Sequence, residues 1–214
     1  MHRPTIHPPN KKQPSNQSLN IRNYQPSDLD ALRRICLLTG NSGQGAEHLY
    51  SNPDLLGDFY AAPYGVLHPE LTFVLADEEK VVGYVLGTDD TATFGGRSES
   101  EWFPHIREKL SMPAESDTSK DARIIRMIFK GHPRLNRFPE FPAHLHIDLL
   151  PEAQSAGWGR KLLDAFCTKL KAQGVAGVHL GVGKRNENAI GFYRHYGFEL
   201  LEEEEDSLYF GLRL

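Results

Sequence analysis

Hydrophobic positions along the chain alternate between two repeats, a period of two and a period near 3.6, with polar breaks between them. LNIRNY at 19–24 reads as a short strand, and Pro26-Ser27-Asp28 as a turn and helix cap. Leu29, Leu32, Ile35 and Leu38 then recur on one face of a helix that should stop at Gly40. A glycine-rich loop occupies 41–45. Residues 46–68 mix aromatics with Pro and Gly, which predicts a short, interrupted helix. LTFVLAD (71–77) and KVVGYVLGTD (80–89) are β-rich runs joined by acidic residues, which predicts a hairpin.

Residues 89–142 read as an insertion. EWFPHIREKL and RIIRMIFK each suit a helical turn or two, and SMPAESDTSKD between them suits a loop. From Ala143 the pattern sharpens. AHLHIDLL is a strand, PEAQSAGWG a tight glycine loop, 158–172 a one-faced helix, VHLGVG a strand, and NENAIGFYRHY a helix closed by Gly197. FELLE and SLYFGLRL are the last two strands. The order β-loop-α-β-α-β-β places the chain in the α/β class with a mixed sheet.

Composition narrows the field. At 214 residues, 39% hydrophobic and 24% charged, the chain has ordinary globular composition and enough length to bury a core. A formal net charge of -4 argues against broad nucleic-acid binding. No run of 18 apolar residues is present, so no membrane span is expected. The first 18 residues, rich in Pro, Asn, Gln and Lys, lack an apolar signal core and suit a disordered tail ahead of one domain at 19–214. Cys36 and Cys167 lie in apolar helical stretches without a CxxC partner, and suit buried thiols in the cytoplasm.

Two segments carry chemistry. Gln154, Ser155, Ala156, Gly157, Trp158, Gly159 and Arg160 follow a strand and open a helix. The first N–H groups of a helix have no partner within it and carry the positive end of its dipole, so they cradle a pyrophosphate. The first six of these residues, Gln154 to Gly159, also fit a plain strand-to-helix connection, and they form neither a Walker loop nor GxGxxG. On the preceding strand His144, His146 and Asp148 alternate on one face. His146 and Asp148 are the candidate bases, and each also fits a partly buried polar residue. Asp89 and Asp90 could attract a cationic amine and more plainly read as turn residues, and Glu202 to Asp206 reads as a solvated turn. Arg123, Arg126, Lys130, Arg134 and Arg137 could meet a CoA 3′-phosphate or a substrate, and more plainly read as a solvated basic face. No HExxH or paired CxxC is present, so no metal is implied.

LHIDLLPEAQSAGWG, LGVGKRNENA and FYRHYGF, in that order, resemble the GNAT superfamily of N-acetyltransferases, and IRNYQPSDLDALRRI with the hairpin resembles its first half. HLHIDLLP, GWGR and HLGVG are further similar to the acetyltransferase-like domain attached to O-GlcNAcase and its free-standing relatives. The resemblance implies a central mixed, mostly antiparallel sheet of about seven strands flanked by helices. It implies acetyl-CoA as co-substrate and direct transfer to a primary amine of a small molecule or protein. Under it, Leu149 and Leu150 offer main-chain groups to the pantetheine arm across a splay between two strands, and Leu149 N–H polarises the acetyl carbonyl. Asn186 sits near the cofactor arm, and Tyr193 protonates the departing thiolate, its plainer reading being a core aromatic. Acceptor choice falls to residues 40–68 and 89–142. The same resemblance admits a weak or inactive CoA-binding module that recognises a partner. A monomer or homodimer is expected, with no nucleic acid or membrane partner.

Overall fold

The computed structural model describes residues 18–214. The tail expected at 1–18 falls outside that range, Ser18 apart. Strand β1 (Asn20–Asn23) leads through a 3-10 turn into helix α1 (Leu29–Thr39). Leu32 and Ile35 of α1 are fully buried, as their spacing predicts. Asp28 does not cap α1 through its side chain. Its carboxylate instead accepts from Gln25 N–H at 2.8 Å and from both guanidinium nitrogens of Arg22 at 2.6 and 2.8 Å.

The interrupted helix is two helices, α2 (Leu55–Tyr60) and α3 (Ala62–Leu67), broken at Ala61. The hairpin is β2 (Phe73–Ala76) and β3 (Val81–Thr88). All eight residues of β3 are buried, because α1 and α3 cover one face and α7 (Trp158–Ala172) the other. Leu162, Leu163, Phe166 and Leu170 of α7 are fully buried there. Each such side chain stabilises the fold by about 1.5–3 kcal/mol.

Segment 89–142 holds more helix than its sequence suggests: α4 (Thr91–Arg97), one π-helical stretch over Ser98–Trp102, α5 (Phe103–Arg107) and α6 (Lys120–Lys130). Two glycines hide α4 from propensity. It forms because Asp90 accepts from Thr93 N–H at 2.7 Å and Phe94 is fully buried. The basic stretch is only partly a solvated face. Arg126 donates to the carbonyls of Ala114 and Asp117, and Arg137 to the carboxylates of Glu202 and Glu204. The run Glu202 to Asp206 is therefore anchored to this segment rather than simply solvated.

Strand β4 (Ala143–Leu149), α7, β5 (Gly177–Gly183), helix α8 (Glu187–Tyr196), β6 (Glu199–Glu203) and β7 (Ser207–Arg213) complete one seven-stranded sheet in the order β1-β2-β3-β4-β5-β7-β6. Its neighbours are antiparallel except β4 and β5. Helix α8 ends at Gly197 with φ 118°, the left-handed closure its position predicts. No helix of the described residues is long and apolar enough to cross a membrane.

Candidate active site

The site forms where the sheet comes apart. Strand β4 pairs with β3 along its length, from His144 opposite Thr88 to Leu149 opposite Gly83. Its pairing with β5 stops after Ala143 opposite Val178 and His144 opposite His179. Beyond that point the two central strands splay. Leu150 N–H donates to Val82 O at 2.9 Å, so by alternation the main-chain groups of Leu149 face the split. Leu150 differs from its sequence reading: its N–H is taken by Val82, and its carbonyl accepts from Ala153 N–H. Gln154 Nε2 donates to Leu149 O at 2.8 Å, which fixes the loop against the strand end and leaves Leu149 N–H as the donor at the split.

At the end of the split lies the glycine loop. Gln154 to Gly157 are exposed, Ser155 has φ 60° and Gly157 φ 77°. No side chain caps α7, so Trp158, Gly159 and Arg160 present the helix's unpaired first N–H groups. A Cβ on Gly157 would meet nothing within 4 Å, whereas one on Gly159 would meet Phe192 Cζ at 3.2 Å. Gly157 thus opens the cradle, and Gly159 lets α7 lie against α8. The cradle fits a pyrophosphate: exposed, uncapped donors at a positive helix end. Arg160 is stacked 5.4 Å over the Tyr196 ring. Asn186 caps α8, its Oδ1 accepting from Ala189 N–H at 3.2 Å.

The two faces of the split carry different chemistry. Leu145 lies opposite Gly87, which packs on Phe166 of α7, so odd-numbered β4 residues face α7. His144, His146 and Asp148 face α1 to α3. Thr91 Oγ1 donates to Pro142 O at 2.8 Å, so at 2.8 Å from His144 Nδ1 it accepts. His144 Nε2 then accepts from Tyr64 OH at 2.7 Å, and Tyr64, its proton spent, accepts from His146 Nε2 at 3.2 Å. His146 Nδ1 is left with a bare lone pair. It has no partner among the described residues and is not a buried orphan, so it reaches the cleft. Burial, reinforced by neighbouring histidines, pushes His146 down to about 4 and His144 well below its ordinary value. Both rings are neutral at pH 7.

Asp148 accepts from Tyr84 OH at 2.6 Å. Burial outweighs that bond and pushes its carboxyl up to about 6. Tyr193, on α8, packs against Phe198 and Phe210 from the α7 side. Burial raises its phenol pKa, and the charge of Asp148 raises it further, so the two groups sense each other across the split. Asp148, Leu149 and Tyr193 therefore converge on the split. His146 sits about 7 Å back along β4, two residues at 3.3–3.4 Å each.

A cleft of about 750 Å³ opens over His144 and His146. Its walls are Phe59, Tyr60 and Tyr64 from α2 and α3, Met127 and Lys130 to Arg134 from α6 and the turn beyond, and His179 to Gly181 with Tyr209 from β5 and β7. Segments 46–68 and 89–142 thus both reach the cleft. Tyr64, Thr91, His132 and His179 were not singled out from the sequence, being far apart in the chain. Strand alternation is the one signal that could have found His179, which lies opposite His144. His132 is buried, its Nε2 donating to Phe59 O at 2.9 Å, and burial pushes it down to about 4.

Comparison with known proteins gives a consistent result. Residues 45–198 match the model of the acetyltransferase (GNAT) family. The chain is 28% identical over 197 residues to Protein O-GlcNAcase of Rattus norvegicus, and equally to that of Mus musculus. Each match covers 89% of this chain and 21% of the relative, so the chain spans about a fifth of the length of the curated relatives it matches. The crystal structure of SsHAT superposes with a TM-score of 0.86 at 36% identity, covering 92% of this chain and 98% of that one. YncA of Salmonella typhimurium, a putative acetyltransferase solved with its cofactor acetyl-CoA, shares the fold at 14% identity and a TM-score of 0.53, covering 91% of this chain and 93% of that one.

Proposed function

The chain belongs to the acetyltransferase (GNAT) family, and we propose that it transfers an acetyl group from acetyl-CoA directly to a primary amine at the split between β4 and β5. On this reading residues 19–214 are one domain, 89–142 is its insertion, and the protein works in the cytoplasm, which suits the two buried free thiols Cys36 and Cys167. The carrying observation is the early end of β4–β5 pairing, which aims Leu149 N–H into a split that leads to the uncapped start of α7.

Backbone N–H groups of the loop from Ser155 to Arg160 hold the pyrophosphate, that of Gln154 being donated to Pro151 O at 3.2 Å instead, and Arg160 adds charge beside it. Asn186 stands by the cofactor arm with its amide nitrogen, since its oxygen is engaged in the cap. When bound, acetyl-CoA supplies an activated acyl thioester. Leu149 N–H donates to the acetyl oxygen as negative charge develops there. Asp148, with a pKa of about 6, is ionised at neutral pH and takes the proton that the attacking amine must lose. His146, neutral, accepts an amine N–H at Nδ1 and orients the acceptor. Tyr193 OH gives its proton to the departing sulfur.

The test is a melting curve with acetyl-CoA, followed by turnover. A ligand at 100 times its Kd adds roughly 2.7 kcal/mol of stability. Tyr193→Phe keeps the ring and its packing; kcat should fall on the order of 100- to 10,000-fold while acetyl-CoA affinity holds. No thermal shift with millimolar acetyl-CoA would overturn the reading. Binding without turnover of any amine would leave a CoA-binding module.

A further inference from the structure

Resting on the acetyltransferase reading, we propose that the acceptor is a small amine that carries an anionic group, a carboxylate or a phosphate, recognised at the mouth of the cleft by Lys130 and Arg134. The charge inventory carries the proposal. Among the described residues, none that lines the 750 Å³ cleft is an aspartate or glutamate. Its floor and walls are aromatic, and the histidines there are neutral at pH 7 for want of solvation. A polyamine or a lysine-rich peptide would bring several ammonium groups into a cleft with no carboxylate to receive them, at the cost of desolvating each.

Among the described residues, the only formal charges lining the cleft are the cations Lys130 and Arg134. Four other arginines of the same segment are engaged, and Arg123, which is not, lies outside the cleft lining. Arg97 pairs with Glu101, Arg107 with Glu99, and Arg137 with Glu202 and Glu204, while Arg126 is bound to backbone carbonyls. Lys130 and Arg134 have neither an ion pair nor a hydrogen bond among the described residues. Glu99 feels the charge of Arg134, but its two oxygens are already held by Arg107.

These cations are badly placed for the cofactor's own phosphates. The cleft sits over His144 and His146, whereas the glycine loop begins beyond Leu149. The five steps from His144 to Leu149 span about 16 Å of strand. An amine of cleft size, in the usual range for small ligands, can set its anion on Lys130 and Arg134, lay its body along Tyr60 and Tyr209, and point its nitrogen down β4 toward Asp148.

Matched pairs test this. Initial rates of CoA release are measured for glucosamine 6-phosphate against glucosamine, and for 4-(aminomethyl)benzoate against benzylamine, with spermidine as the cationic arm. The anionic member of at least one pair should lead its neutral partner by tenfold or more in kcat/KM, mostly through KM. The phosphate and carboxylate arms show which anion the mouth prefers. In the Lys130→Ala/Arg134→Ala double variant that lead should collapse toward parity. Calorimetric binding of the same pairs to the CoA-bound protein reads the preference where turnover is slow. Equal use of charged and neutral members, a preference for spermidine, no binding of any anionic amine, or a lead that survives the double variant would overturn the inference. Acetyl-CoA binding, measured first on the same samples, separates these outcomes from failure of the acetyltransferase reading.

Discussion

The two ends of the split are built by opposite means. The proposed cofactor end is one continuous stretch, Leu149 to Arg160, and offers main-chain N–H groups held in place by two left-handed residues and an uncapped helix start. The proposed acceptor end is made of side chains from six separate segments, three of them tied by a chain of hydrogen bonds from Thr91 to His146. Main-chain recognition needs only a local backbone path, which glycines write into the sequence. Side-chain recognition needs distant elements to meet, and leaves no local trace. The difference predicts where each end is fragile.

The largest effect should fall where the ends meet. Asp148→Asn removes the proposed base, and kcat should drop on the order of 100- to 10,000-fold. The same change relieves the burial of a charge that raises this carboxyl to about 6, so the melting temperature at pH 7 should rise. A fall in both would contradict the assignment. At the cofactor end, Gly157→Asp sets a carboxylate among the loop N–H groups. Acetyl-CoA affinity should fall roughly 30- to 150-fold, the loss of about 2–3 kcal/mol of charged hydrogen bonding. Gly157→Asn, of equal shape and tolerant of φ 77°, should lose much less. Calorimetry on both separates charge from strain.

The acceptor end should break differently. Tyr64→Phe deletes the hydroxyl between His144 and His146 and frees the His146 ring to turn. KM for the amine should rise about tenfold, the worth of roughly one net hydrogen bond, with acetyl-CoA affinity unchanged. An unchanged amine KM would remove His146 from the site.

The smallest effect is a pH slope in stability. His132 and His146, held near 4, contribute stability that is present above about 6.5 and is lost as pH falls toward 4. Asp148 works the other way: its contribution is full below about 4 and is lost as pH rises through about 6. Two histidines outweigh one carboxyl, so the melting temperature should fall by several degrees from pH 6.5 to pH 4. Asp148→Asn should steepen that fall. A melting temperature flat across this range would mean the rings are better solvated than the cleft implies.

Much of the fold was legible because its signals are local. The period of α1, the β-rich hairpin, and the loop-helix register at 151–172 all emerge in place. The glycine cradle was legible for the same reason, and β4 parity put His144, His146 and Asp148 on one face. Three features were not legible. Helix α4 forms against its propensity because Phe94 has a core to enter. Leu150 lost its expected role because β3 claims its N–H. The tautomer of His146 is set by Thr91 and Tyr64, which lie 55 and 82 residues away in number.

The sequence by itself determined the class, the order of the strands and the uncapped glycine loop, since each depends on neighbours within about one turn of helix or one strand. Only the tertiary structure decided which nitrogen of His146 faces the cleft, from which side Asp148 and Tyr193 approach the split, and which cations are left without a partner. Those properties belong to desolvation and to pairings between distant segments, and both arise only when the sheet closes around its helices.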